Sequence, residues 1–235
     1  MKIVNNLTNI NPVYGQFYNY NRILRDFKDW PLGLRSEDMW PAACYLHGIY
    51  DVPNITDLAE QLAWIKENRK KHPKSILEIG GGDGLMSVFL SNTNNECKIQ
   101  TVECNHSAAH WIRAVSRQYF AAPCGDNIQL YLGDLDTSWE SLDFSELDAV
   151  VMVASIEHID SAEWHRFFEK LVPILKTNQG SLTITNCMNY WPLGFPGDWH
   201  EHIALIDDNL YNYLTSFATK CTMRNGSHIC LEFNQ

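Results

Sequence analysis

Positive charge is scarce in this chain: Lys and Arg number 18 against 28 Asp and Glu, for a formal net charge of -10. Surfaces that bind by neutralising phosphates need clustered Lys and Arg, so nucleic acid and anionic membranes are poor partners for it. The single basic run, with Arg69, Lys70 and Lys71, reads as a solvated helix end. Long apolar runs are missing as well. No window approaches the roughly 18 apolar residues that span a bilayer, and the opening MKIVNNLTNINPVYG has no apolar leader core. A soluble protein is expected, and without a leader the sequon at Asn6-Leu7-Thr8 carries no weight. Paired cysteines are absent too: the 7 present are an odd number, with no C-x-x-C pair and no chelate spacing. That argues against a disulfide framework and a zinc knuckle and favours reduced thiols in the cytoplasm. No internal repeat is visible.

What is present is a chain of 235 residues, 45% hydrophobic, enough for one sizeable core. From residue 75 onward, apolar runs of strand length alternate with stretches of helical periodicity, the pattern of βα units feeding a parallel sheet. Strands are expected at 75–79, 99–103, 128–132, 149–154 and 181–185, several apolar throughout and so covered on both faces. Helices are expected at 85–92, 107–121, 161–176 and 207–218. In the third, Trp164, Phe167, Phe168, Leu171 and Leu175 form a stripe that belongs to the core. Asn225-Gly226 between two short strand-like runs signals a type I′ hairpin, so the sheet should close with an antiparallel pair. Residues 1–74 show no strand alternation. They are read as a helical or irregular N-terminal cover, with a helix from Thr56 to Lys71, over a domain spanning 75–235.

In an open α/β sheet, ligands bind beyond the carboxyl ends of the strands, near the point where strand order reverses. The expected strands end in Glu78-Ile79-Gly80-Gly81-Gly82-Asp83-Gly84, Glu103-Cys104-Asn105, Gly133-Asp134-Leu135 and Ala154-Ser155-Ile156-Glu157-His158. The glycines let backbone turn sharply and approach a ligand, with helix amides pointing at it. Glycines alone serve several nucleotide ligands. A dinucleotide loop would carry Gly or Ala three positions after Gly82, where Leu85 stands, so a dehydrogenase loses ground. Glu103, about twenty residues on at the next strand end, suits two ribose hydroxyls.

The pattern Glu-x-Gly-x-Gly-x-Gly at Glu78, Gly80, Gly82 and Gly84 resembles the class I S-adenosylmethionine-dependent methyltransferases, and the resemblance runs from residue 75 to about 233. It implies a Rossmann-like α/β fold: a mostly parallel seven-stranded sheet with a C-terminal antiparallel hairpin and a helical N-terminal extension. It implies S-adenosyl-L-methionine as cofactor, with Glu78, Gly80, Gly81 and Gly82 at its methionine end. Glu103 and Cys104 would stand at the ribose, Asp134 and the Leu135 backbone at the adenine, and Ala154 at the end of the fourth strand. One departure is Thr177-Asn178-Gln179-Gly180, where a Lys-Pro-Gly-Gly turn is common in the family. Taken singly, Glu78 could merely cap the loop and Asp134 could be a turn acid.

Methyl transfer is an in-line displacement that needs an oriented nucleophile and, for a hydroxyl or protonated amine, a base. The base candidates are His158 after the fourth strand and His200 and His202 in the long loop 186–206, rich in Tyr, Trp, Phe and turn residues. Each has a structural reading of equal standing, and His-x-His without a third ligand is a weak chelate, so no metal is assigned. The expected partner is a small-molecule acceptor methylated on oxygen or nitrogen. The alternatives are a peptide or protein side chain, or a catalytically silent subunit that binds the cofactor. Oligomeric state is left open, with a homodimer as one option.

Overall fold

The computed structural model describes residues 1–5, 72–81, 84–93, 96–103, 125–153, 155–156, 161–185, 208–224 and 228–233. Eight strands form one sheet: β1 (Lys2–Asn5), β2 (Ser75–Ile79), β3 (Lys98–Glu103), β4 (Ile128–Leu132), β5 (Leu147–Val153), β6 (Ser181–Thr185), β7 (Lys220–Arg224) and β8 (His228–Glu232). The described helices are α1 (Leu85–Thr93), α2 (Leu135–Trp139), α3 (Ser161–Thr177) and α4 (Asp208–Thr215). Strand order is β1-β4-β3-β2-β5-β6-β8-β7. All neighbours run parallel except β6–β8 and β7–β8, which are antiparallel.

The architecture is the Rossmann-like one expected, with one correction. Lys2–Asn5 adds an eighth strand, parallel to β4, where the N-terminal segment was expected to contribute none. A four-residue edge strand offers too short a window for alternation to register. At the other edge, β7 and β8 form the expected antiparallel pair with Arg224 opposite His228, and the Asn225-Gly226 turn lies outside the described residues. The expected helices at 56–71 and 107–121 lie outside the described residues.

The central strands are buried on both faces: every residue of β2 and six of seven in β5 are inaccessible. Successive side chains point to opposite faces. Leu77 and Ile79 therefore join the cluster built on the α3 side with Trp164, Phe167, Phe168, Leu171 and Leu175, the predicted stripe. Ile76 and Glu78 face the other way, and the Ser87 hydroxyl of α1 donates to Glu78. Burying a Leu or Phe side chain contributes about 1.5–3 kcal/mol each, so the α3 stripe supplies roughly 8–15 kcal/mol of the burial that opposes chain entropy.

Buried polar groups fix the frame at the amino ends of the strands. Asp148 sits at the irregularity where β5 pairs with β2, and its carboxylate accepts from the Lys74 and Ser75 amides at 3.1–3.4 Å. Gln100 is fully buried and engaged at both ends of its amide: Nε2 donates to the Asp143 carbonyl at 2.7 Å, and Oε1 accepts from the Asp143 amide at 2.8 Å. Such pairing is required, because an unpaired buried polar group costs about 1–3 kcal/mol. The opposite, carboxyl ends of the strands are thereby left for loops.

Candidate functional site

The strand order places β2 between β3 and β5, so the crevice where order reverses lies between the carboxyl ends of β2 and β5. Gly80 leaves β2 with φ +72°, a left-handed conformation that side chains rarely adopt. Its amide donates to the Val102 carbonyl at 2.9 Å, and the Gly81 amide shares that acceptor at 3.2 Å. A Cβ on Gly80 would come within 2.6 Å of Ser155 Cβ, across the crevice beyond β5. A Cβ on Gly81 would collide with the Thr101 methyl of β3, well inside the 3.0 Å that real Cβ atoms essentially never show. Gly84, at φ +78°, donates to the Gly81 carbonyl at 2.7 Å and accepts from Val88 at 2.9 Å, which starts α1. The loop is thus pressed against β3 on one side and the post-β5 segment on the other, and only glycine fits both contacts.

Glu78 is 2% exposed and stands level with Thr101 in the β2–β3 register. Its Oε2 accepts from Thr101 Oγ1 at 2.9 Å and from Ser87 Oγ. The two hydroxyls are themselves 3.0 Å apart. Glu78 therefore joins β2, β3 and α1 under the glycine loop, the capping role weighed for it from sequence. Ser87 and Thr101 were not singled out in the sequence reading. The signal was there: a Thr two residues before Glu103 in the run KIQTVE must share a face with it.

Glu103 ends β3, 4% exposed, and its carbonyl accepts from Gly133 at 3.0 Å. Asp134 is the N-cap of α2, a helix that was not predicted. Its Oδ1 accepts from the Thr137 amide at 2.7 Å, and Leu135 is the first helical residue, half-buried against the core. The cap explains the sequence Gly-Asp-Leu: the carboxylate satisfies a first-turn amide and favours the helix N-terminus electrostatically. The glycine loop, Glu103 and Asp134 thus follow neighbouring strands β2, β3 and β4. Gly82, Cys104, Ala154, His158, His200 and His202 lie outside the described residues. Among the described residues no group of three His, Cys, Asp or Glu could hold a metal ion, and no helix is long and apolar enough to cross a membrane.

Residues 76–178 match the family model of a methyltransferase domain. Over this stretch, 103 of its 235 residues, the chain is similar to methyltransferase domains. That stretch begins in β2 and ends just after α3, so it contains the glycine loop, Glu103, Asp134 and Ser155.

Two solved structures share the fold at low identity. A Staphylococcus aureus protein provisionally named a caffeoyl-CoA O-methyltransferase is 16% identical, with a TM-score of 0.51 over 92% of this chain and 98% of its own. The methyltransferase domain of bacterial-CtHen1-CN is 16% identical, with a TM-score of 0.50 over 76% of this chain and 98% of its own. A precorrin-6y C5,15-methyltransferase from Geobacter metallireducens GS-15 is 17% identical, with a TM-score of 0.38, and covers 52% of this chain. The aligned part spans 58% of that protein's own length. No curated protein matches the sequence.

Proposed function

We propose that this chain binds S-adenosyl-L-methionine across the carboxyl ends of β3, β2 and β5 and transfers its methyl group to an oxygen or nitrogen of a small molecule. The observation that carries the reading is the glycine loop at the β2–β5 crevice, bare of Cβ atoms at Gly80 and Gly81, beside the buried carboxylate of Glu103. These residues suit the group. Glu103 can accept from two ribose hydroxyls, the Leu135 backbone beside the Asp134 cap can meet the adenine edge, and the loop can bring backbone close to the amino-acid end.

Bound there, the sulfonium supplies an electrophilic methyl group. The chain's own residues orient the acceptor, exclude water and take up a proton where the acceptor is a hydroxyl or protonated amine. His158, His200 and His202 are the proposed bases. The acidic net charge favours an uncharged or cationic acceptor over a polyanion, and a cytoplasmic setting suits the reduced thiols. The S. aureus protein of the same fold bears the name of an oxygen methyltransferase, which agrees with a small acceptor.

The test is twofold. Calorimetric binding of S-adenosylhomocysteine should weaken by about 1–3 kcal/mol in Glu103→Ala, the range for hydrogen bonds to a charged group. Unchanged affinity removes Glu103 from the site. Labelled-methyl transfer to pooled metabolites, peptides and RNA should mark the metabolites, and label confined to the macromolecules sinks the small-molecule acceptor.

A further inference from the structure

Three buried side-chain polar atoms among the described residues have no hydrogen-bond partner: Ser138 Oγ, Ser155 Oγ and Trp164 Nε1. Ser138 is inside α2 and Trp164 belongs to the α3 core cluster. Ser155 stands elsewhere, two residues beyond the end of β5, on the far side of the crevice from Glu103, and is 7% exposed. Its Cβ occupies the place that a side chain on Gly80 would need, so it is held against loop backbone and not against another polar group. A hydroxyl buried without a partner is unfavourable, and one that lies at the candidate crevice, unlike the other two, is placed to be satisfied by a ligand.

Strand order supplies the reason. β3 and β5 flank β2, so a molecule whose ribose lies at Glu103 and which crosses the glycine loop must place its other end toward β5. We propose that the Ser155 hydroxyl is a binding residue for the amino-acid end of the methyl donor, donating to its carboxylate or accepting from its ammonium. The proposal rests on the cofactor placement given above. Gly80 is then glycine for two reasons: its backbone turn, and the room it leaves for Ser155 beside the ligand.

The test compares two probes on wild type and Ser155→Ala: S-adenosylhomocysteine, which carries the amino-acid end, and 5′-methylthioadenosine, which lacks it. Ser155→Ala should raise Kd for S-adenosylhomocysteine roughly 10-fold, the loss of one hydrogen bond to a charged group. Kd for methylthioadenosine should stay within about 2-fold, and the unliganded Tm should not fall, since no protein partner is lost. Equal weakening of both probes, or a lower unliganded Tm, would assign Ser155 a structural role and overturn the proposal. Tight S-adenosylhomocysteine binding that ignores the substitution overturns it and leaves the cofactor reading standing, whereas no binding by the wild type overturns both.

Discussion

Placing alanine at Gly81 tests whether the glycine loop is fixed by its contact with β3. Gly81 does not adopt a positive φ, so alanine meets no backbone strain there, and the whole penalty comes from space. The new Cβ would overlap Thr101 Cγ2, while the next atoms, Glu78 Oε2 and Cδ, lie at 3.6 and 3.7 Å, ordinary van der Waals contact. Overpacking of this kind costs about 1–3 kcal/mol. Thr101→Ser removes the obstructing methyl and keeps the hydroxyl that donates to Glu78 at 2.9 Å, at a cost of about 0.5–1.5 kcal/mol for one buried methyl. Urea unfolding of wild type, both single variants and the double variant gives the coupling directly. The double variant should be about 1–2 kcal/mol more stable than the sum of the single effects predicts. Thr101→Val is the control, because it keeps the branch, loses the hydrogen bond and should give no rescue. Effects of Gly81→Ala and Thr101→Ser that add to within about 0.5 kcal/mol would refute the packing account of this glycine.

Two further outcomes concern stability. Gln179 closes α3 with φ +51°, in the turn where the family commonly has glycine, so Gln179→Gly should stabilise the protein by about 1 kcal/mol and raise Tm by a few degrees; a lower Tm would mean its side chain matters more than its backbone. The hydrogen bond from Lys98 at 2.8 Å, then those from Ser145, hold the Asp143 carboxyl well below the usual carboxylate range. A depressed folded pKa stabilises above the unfolded value and is lost as pH falls below it, but the pair is about half exposed, so screening leaves only a few tenths of a kcal/mol. Asp143→Asn should therefore be slightly less stable than wild type at pH 7, by a margin that shrinks as pH falls below the ordinary Asp value of about 4; a difference that grows on acidification would reverse the assignment.

The candidate site was legible where its chemistry is written into consecutive residues. Glu78, the glycine loop, Glu103 and Asp134 were found because each follows an apolar run that must be a strand, and strand ends in a parallel sheet share one edge. Which partners they meet was not legible. Ser87 reaches Glu78 from a helix and Thr101 from a neighbouring strand, and only the β2–β3 register brings the latter level with it. Ser155 stands just past a legible strand end, yet nothing local distinguishes a partnered serine from an orphaned one.

The sequence by itself determined the parallel α/β core, the apolar stripe of α3 and the acids and glycines at the strand ends, because these depend on periodicity and local turns. The tertiary structure alone decided that Lys2–Asn5 joins the sheet beside β4 and that Glu78 is tied beneath the loop. It also set Ser155 against Gly80 across the crevice. Each of these depends on which distant segments meet, and pairing across sequence separations of up to more than a hundred residues leaves no local pattern to read.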